Sequence, residues 1–170
     1  MNKEGSKTNK VAGRFTKGSA PELVNSGFRM EVNDSELLYN GMSLADLAHA
    51  IMLIEIDLIP QDARCALISA LLEMHSLPED EIDFKNDLVD VYTNRTEMLY
   101  QRTPETAGWL QAGRPRREVT TLAYLIITRA ELLEVIKCVL KLMEALLEFC
   151  EGHRSTLVPD YTYLQRAHPT

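Results

Sequence analysis

The sequence predicts an all-α protein in which a helical N-terminal domain precedes one long helix. Three observations support this fold class. Apolar residues recur at helical spacing in several segments, and no segment shows the alternation of a half-buried strand. In addition, residues 119–151 contain neither proline nor glycine, so nothing in that stretch would interrupt a helix.

Three segments follow one another along the chain. We expect a flexible basic tail at 1–19, a helical domain at 20–118, and the long helix with a C-terminal tail at 119–170. The first segment holds five basic residues against one glutamate, although the whole chain of 170 residues has a net charge of −7. A stretch rich in Gly, Ser, Lys and Asn cannot bury enough apolar area to order itself, which predicts a solvated tail.

The helical domain is predicted to begin irregularly and then to form a helical hairpin. Residues 21–41 lack a sustained period and predict irregular structure with no more than one short helix. Ser43 has the character of an N-cap with an acidic residue three positions later, which predicts a helix ending near Asp57. Pro60 opens a second helix, which the Leu77-Pro78 pair ends.

A third helix is predicted at 85–101, followed by a loop rich in glycine, proline and arginine at 103–118. The long helix then covers 119–152, with a length of roughly 50 Å at ~1.5 Å per residue. Its apolar residues occupy more than one face, and a helix of that kind must be surrounded. The preceding helices are too short to cover it, so we expect copies of this chain or a second chain to pack on it.

Composition and charge exclude several classes of function. An acidic chain without a basic face or groove-reading motif predicts no nucleic-acid partner. Charges interrupt every long apolar stretch and no signal-peptide pattern is present, which predicts no membrane partner and a cytoplasmic protein. Cys65, Cys138 and Cys150 lack ligand spacing and are expected to be reduced core residues. No metal site and no cofactor is predicted.

The arginine loop carries the first candidate site. Arg114, Arg116 and Arg117 present planar forked donors that suit a carboxylate or a phosphate. The loop leads into the N-terminus of the long helix, where the helix dipole favours an anion. A solvated basic loop that neutralises an acidic neighbour is the alternative interpretation.

The C-terminal tail carries the second candidate site. The segment DYTYLQRAHP at 160–169 offers hydroxyl, amide, guanidinium and imidazole groups. A surface tail without function is the alternative.

Together these two stretches resemble argininosuccinate lyase, of the aspartase/fumarase superfamily. That family has approximately LHTGRSRND and GYTHLQRAQP where this chain has LQAGRPRRE at 110–118 and DYTYLQRAHP at 160–169. GRFTKG at 13–18, DLAHAIML at 46–53 and VDVYTN at 89–94 match further family segments in the same order. The chain therefore resembles the N-terminal part of the lyase.

The resemblance implies a mostly helical subunit, an intersubunit helical bundle, and active sites built from segments of different subunits. It also implies elimination chemistry, in which a C–N bond beside a carboxylate is cleaved and fumarate is released. Such a reaction needs a base, an acid for the departing nitrogen and donors for the carboxylate-based intermediate. The expected ligand is a small acidic metabolite.

The chain departs from the family at several site positions. Gln111, Ala112, Pro115 and Arg117 replace His, Thr, Ser and Asn of the first region. Tyr163 replaces the active-site His of the second region, and Tyr92 replaces a histidine near the substrate. The family's segment with the serine base would lie beyond residue 170, so we expect the chain to be truncated and not to cleave argininosuccinate alone.

The residues predicted to act are therefore of two kinds. Tyr163 is the catalytic candidate, although a phenol with an ordinary pKa near 10 is a poor base at neutral pH. The substrate-binding candidates are Arg114, Arg116, Arg117, Thr162, Gln165, Gln111, Asn94 and Tyr92.

Three functions remain open. The first is a subunit of a split or remodelled lyase-like enzyme that another chain completes. The second is a non-catalytic binding or regulatory subunit derived from a lyase. The third is a small enzyme of altered chemistry on an acidic metabolite.

Overall fold

A computed structural model describes residues 18–78 and 81–168. It divides the chain into two compact units, one ending at Thr128 and the other beginning at Arg129. The elements, in chain order, are α1 (Pro21–Leu23), a π-helix (Val24–Phe28), α2 (Arg29–Val32), α3 (Ser35–Glu55), α4 (Gln61–His75), a 3₁₀ turn (Asn86–Leu88), α5 (Val91–Arg102), a 3₁₀ turn (Ala107–Gln111), α6 (Arg116–Gly152), β1 (Tyr161–Thr162) and β2 (Gln165–Arg166). The all-α prediction is confirmed, since the two strands have two residues each.

The larger core of the first unit lies between α3, α4 and α5. Leu67 and Leu71 of α4 are almost completely buried, and they belong to one apolar cluster with Leu53 of α3 and Leu99 of α5. Pro60 is the N-cap residue of α4, as expected, and α4 ends at His75, just before the predicted stop. The predicted hairpin of two helices is therefore confirmed.

A second core cluster joins α3 to the beginning of α5 and α6. Leu38 and Met42 of α3 pack with Val91, Val119 and Ala123, all of them buried. Gly41 brings α3 and α6 close together, because a Cβ atom at this position would lie 3.0 Å from the Cα, Cβ and O atoms of Ala123. The absence of a side chain at Gly41 is thus required by the packing.

The beginning of the domain differs from the prediction. Residues 21–32 are helical, and α3 begins at Ser35 rather than near Ser43. Ser43 is therefore not an N-cap but a buried residue in the middle of α3. Burial of Leu38 and Met42 holds this first part of α3 in the helix, because tertiary packing overrides weak local propensity.

α6 is one continuous helix of 37 residues, so the prediction of an unbroken helix at 119–152 is confirmed. Its first turn begins at Arg116, slightly earlier than expected. The second unit, considered alone, holds the remainder of this helix and the small hairpin. Each of its described residues, 129–168, is exposed.

The cysteine prediction is correct in one respect and wrong in the other. Cys65, Cys138 and Cys150 are free thiols, but all three are exposed rather than in the core. Cys65 lies on the outer face of α4, and the other two lie on the part of α6 that has no buried residue. Burial of a cysteine on a helix also requires a covering neighbour, which these three lack among the described residues.

By length and hydropathy, α3 could cross a membrane, and it is the one helix among the described residues that passes this test. Half of its most apolar window is buried inside the unit, and a core helix passes the same test. Most of the predicted basic tail at 1–19 and most of the GRFTKG segment lie outside the described residues.

Candidate functional site

A pocket of about 300 Å³ lies beside the N-terminus of α6. Its lining combines apolar, acidic and basic side chains from four parts of the first unit. The residues are Leu23, Gly27, Phe28, Glu31, Val89, Asp90, Arg116, Arg117 and Thr120. The volume is at the lower end of the range for small-molecule sites.

One wall of the pocket is held by an ion pair. Arg116 donates from Nη1 to Asp90 Oδ2 at 2.6 Å, and the Arg116 side chain remains 44% exposed. The other carboxylate oxygen of Asp90 accepts from the backbone N–H and the hydroxyl of Thr93, so Asp90 also caps α5. The pair therefore connects the start of α5 with the start of α6.

The backbone next to Asp90 is strained. Val89 has φ 66° and ψ −61°, and the N–H of Asp90 donates to the carbonyl of Leu88 at 2.7 Å. These values define a classic γ-turn, a rare conformation that a β-branched residue adopts only when its surroundings enforce it. The turn directs Val89 towards the pocket.

The charges of the pocket suit a ligand with a carboxylate. Arg117 forms no ion pair with any described residue, while Arg116 keeps exposed donors beside its bond to Asp90. Both guanidinium groups lie at the N-terminus of α6, where the helix dipole also favours negative charge. Glu31, which also lines the pocket, offers an acceptor to an amine or guanidine of the same ligand.

Arg114 does not share this pocket. Gly113, with φ 69°, turns the chain so that the Arg114 side chain enters the interior, where it is 4% exposed. There, Arg114 Nη2 lies 2.8 Å from Asp46 Oδ1, and Arg95 Nη2 lies 2.8 Å from the other oxygen, Asp46 Oδ2. The arginine side chains therefore divide between two sites, with Arg114 in the interior and Arg116 and Arg117 at the pocket.

A small cavity of about 10 Å³ adjoins this buried ion cluster. Tyr92 and Gln111, both predicted to bind substrate, contribute to its lining together with Arg95 and Arg114. Burial raises the pKa of the Tyr92 hydroxyl above its ordinary value, and the positive charge of Arg114 offsets this only in part. Tyr92 is thus a neutral hydrogen-bond donor at neutral pH.

Asn94 supports the loop before α5. Its side-chain N–H groups donate to the carbonyls of Lys85 and Asp90, and its Oδ1 accepts from the N–H of Lys85 at 2.8 Å. Both amide donors are used within the chain. Asn94 therefore acts on the pocket through the position of Asp90.

His49 holds the arginine loop from the other side, with Nε2 3.0 Å from the carbonyl oxygen of Ala112. Burial, and then the charge of Arg114, lower the pKa of His49. A neutral imidazole that donates from Nε2 to this carbonyl fits that environment. His49 is a positioning residue for the turn at Gly113.

The tail candidates lie together in the second unit, in the hairpin of β1 and β2. Thr162 pairs with Gln165, and the two residues between them form the turn. Tyr163 and Leu164 both have positive φ, 49° and 63°, and are almost fully exposed. Positions of this kind normally carry Asn or Gly, so the hairpin presents two large side chains at a strained tip.

The sequence patterns did not identify Asp46, Asp90 and Arg95 as parts of these sites. Asp90 has a recognisable signal, because it precedes a helix and Thr93 follows three residues later. Asp46 and Arg95 are separated by 49 positions and have no such signal.

Comparison with known proteins shows similarity to argininosuccinate lyases. The chain is 30% identical over 158 residues to the argininosuccinate lyase of Staphylococcus carnosus, and the match covers 92% of this chain and 34% of the relative. The enzymes of Ruminiclostridium cellulolyticum and Clostridium botulinum are 30% and 32% identical with the same coverage. The chain thus spans about a third of the length of these relatives, consistent with an N-terminal part. The aspartase/fumarase-like character of the fold follows from them.

No family model matches the chain.

Proposed function

We propose, from the premise that this chain is similar to the N-terminal part of argininosuccinate lyase, that it is one subunit of a lyase-like enzyme. It binds a small carboxylate-bearing metabolite in the pocket beside α6. A second lyase-like chain, or copies of this chain, completes the site for C–N elimination. The relatives support the lyase relation, while the partner, the ligand and a cytoplasmic location belong to the proposal.

The observation that carries this proposal is the pocket at Arg116 and Arg117. The segment that resembles the first site region of the lyase leads into this pocket. The two guanidinium groups and the N-terminus of α6 provide donors for a carboxylate. In an elimination, the same donors would stabilise the negative charge that develops beside the breaking bond.

The exposed part of α6 supports the partner. Eleven large apolar side chains between 132 and 149 are 48–64% exposed, namely Leu132, Leu133, Val135, Ile136, Val139, Leu140, Leu142, Met143, Leu146, Leu147 and Phe149. Covering ~1000 Å² of apolar surface is worth about 25 kcal/mol before the costs of association. Helices from one or more other chains are the covering elements that we propose.

The hairpin gives a role to the second site region. In an assembly whose sites combine segments of different subunits, Thr162, Tyr163 and Gln165 of one copy would reach the ligand bound to another. The full exposure of Tyr163 makes its hydroxyl available for such a contact. Direct ligand contact by Arg114, Gln111, Asn94 and Tyr92 stays a prediction.

The lining of the pocket favours a second candidate function, a non-catalytic binding subunit. The described residues that line the pocket include no histidine, lysine or tyrosine that could accept a proton from carbon, and Tyr92 lines the separate small cavity. If no other group supplies the base, the pocket binds the acidic metabolite without converting it.

Ligand binding is tested by thermal unfolding with succinate and fumarate. We expect either dicarboxylate to raise the melting temperature, because it binds the folded state alone. Arg116→Ala should remove the increase and change the ligand-free melting temperature little, since a half-exposed ion pair contributes ~0–1 kcal/mol. Arg102→Ala, which removes an arginine from a partly exposed pair with Glu73, is the matched control. An increase that survives Arg116→Ala would contradict the pocket.

Assembly and chemistry are tested by co-expression with a chain that corresponds to the remaining part of a lyase. We expect a stable complex that releases fumarate from an argininosuccinate-type substrate. A complex that binds succinate without turnover would favour the binding subunit. A chain that forms no complex and converts a substrate alone would overturn the proposal.

A further inference from the structure

One side of α3 is both apolar and exposed. Leu37, Leu44 and Ile51 recur every seven residues and are 52%, 46% and 50% exposed. Ala48, which is also exposed, follows Leu44 by one helical turn. On a helix with ~3.6 residues per turn these four side chains share one face and extend over about 20 Å. We call them the α3 stripe.

The other sides of α3 are packed within the first unit. Leu38 and Met42 belong to the core cluster that includes the beginnings of α5 and α6. Ala50 and Leu53 belong to the larger cluster with α4 and α5. The α3 stripe is therefore held on a rigid element and needs no rearrangement to receive a partner. A single exposed leucine is ordinary on a protein surface, whereas a continuous apolar row indicates an interaction surface.

Both ends of the α3 stripe are acidic. Glu36 lies at its beginning and Glu55 at its end, and both side chains are exposed. The two glutamates are 19 positions apart, which corresponds to about 28 Å along the helix. Asp57, just beyond α3, is 84% exposed although it pairs with Arg64. The sequence of α3 contains neither lysine nor arginine, so no basic residue of α3 offsets these charges.

These charges disfavour a second copy of this chain as the partner of the α3 stripe. In an antiparallel pair with Leu44 near the two-fold axis, the Glu55 end of one α3 would approach the Glu36 end of the other. In a parallel pair, each glutamate would approach its own counterpart. Both arrangements bring like charges together at both ends, and like charges at an interface act against the wrong partner.

We propose that the α3 stripe is a docking surface for one amphipathic helix of a different protein, with lysine or arginine at both ends of that helix. Its apolar residues, at three- and four-residue spacing, would pack between Leu37, Leu44 and Ile51. Ala48 leaves space beside Leu44 for a larger side chain of the partner. The basic ends would lie beside Glu36 and Glu55. This inference depends neither on the pocket at Arg116 nor on the exposed part of α6.

The first test uses a synthetic helical peptide of about 19 residues, with leucines at three- and four-residue spacing and two lysines at each end. A matched peptide has glutamates in place of the lysines. Both are labelled, and their binding to the full chain is measured by fluorescence anisotropy. We expect the lysine peptide to bind at least about tenfold more tightly than the glutamate peptide. Equal affinities would overturn the proposal.

The second test locates the binding surface. Leu44→Gln combined with Ile51→Gln should weaken binding of the lysine peptide at least about tenfold, because both apolar contacts are lost. Leu72→Gln, on a similarly exposed leucine of α4, is the control and should bind normally. Binding that the double variant leaves unchanged would contradict the site. Circular dichroism checks the fold, which exposed substitutions of this kind alter little.

The third test concerns the charges and uses exposed positions only. Glu36→Gln combined with Glu55→Gln should weaken the lysine peptide and strengthen the glutamate peptide, so that the ratio of the two affinities falls at least about threefold. A generally weakened surface would reduce both affinities together. An unchanged ratio would show that the acidic ends do not select the partner.

Two further measurements distinguish other occupants of the α3 stripe. Sedimentation equilibrium of the Leu44→Gln, Ile51→Gln variant should give the same assembly state as the unsubstituted chain. A loss of assembly would assign the stripe to a second copy and overturn the proposal. Phosphatidylcholine vesicles should not retain the chain in flotation, and retention that the same variant abolishes would assign the stripe to a lipid surface instead.

Discussion

The two parts of α6 have similar apolar content, but only the first part contains buried residues. Val119 and Ala123 in the first unit are 1% and 0% exposed, because α3 and the start of α5 pack on them. From Thr128 to the end of the helix at Gly152, every residue is exposed. Apolar periodicity thus predicts that a helix forms, but burial of its side chains also requires packing elements. For the beginning of α6, the same chain supplies them through α3 and the start of α5.

The largest expected effect concerns the exposed part. Leu140→Glu combined with Leu147→Glu should weaken assembly at least about a thousandfold, since each leucine lost from a packed interface costs ~2 kcal/mol or more. Sedimentation equilibrium measures the change. Leu72→Glu, which alters a similarly exposed leucine on α4, is the control and should assemble normally. Unchanged assembly of the double variant would show that this face is not the interface.

The second prediction compares one leucine from each part of the molecule. In the non-assembling background, Leu67→Ala should lower the free energy of unfolding by about 3 kcal/mol, because Leu67 is fully buried. Leu133→Ala should change it by less than ~0.5 kcal/mol, since Leu133 is 48% exposed. Urea denaturation followed by circular dichroism measures both. Equal losses would mean that the exposed part has a core of its own.

A third, smaller effect concerns the turn before α6. Gly113→Ala should cost about 1–2 kcal/mol, because φ at this position is 69° and an L-residue there is strained. Gly152→Ala, at the other end of the helix, should be neutral or slightly stabilising, since a Cβ atom there meets nothing within 4 Å. If both substitutions had the same effect in urea denaturation, strain at Gly113 would not be the cause.

The smallest effect is a pH dependence within the packed unit. The pKa of His49 is lowered in the folded chain, so below the ordinary value of about 6.5 the unfolded chain binds more protons. The contribution of His49 to stability is complete above that pH and decreases as the pH falls towards the folded pKa. His49→Gln should flatten the decrease between pH 7 and pH 5. A slope that His49→Gln leaves unchanged would exclude this residue.

Local signals in the sequence predicted the hairpin of α3 and α4, the continuity of α6 and the loop that precedes α6. The start of α3 was missed because Leu38 and Met42 are helical through contacts with residues far along the chain. The burial of Arg114 was missed for the same reason, since its partner Asp46 lies 68 positions earlier in the sequence. Such long-range pairings leave no local pattern.

The tail shows another limit of sequence reasoning. The roles of Thr162, Tyr163 and Gln165 came from a family resemblance, while the residues themselves predicted either a second site or a surface tail. The structure places them in a β-hairpin with a two-residue turn. In this turn, Tyr163 and Leu164 have positive φ angles, which tyrosine and leucine rarely adopt. Propensity would not have predicted that turn.

The contact between Gly41 and Ala123 restricts the order in which this sequence can change during evolution. Two of the three atoms that a Cβ at position 41 would meet belong to the main chain of Ala123. A smaller residue at 123 therefore gives little relief, and no paired substitution at these two positions can compensate for a larger residue at 41. Only changes that move α3 away from α6 could permit it, so glycine at 41 is expected to persist among descendants that keep this helix crossing.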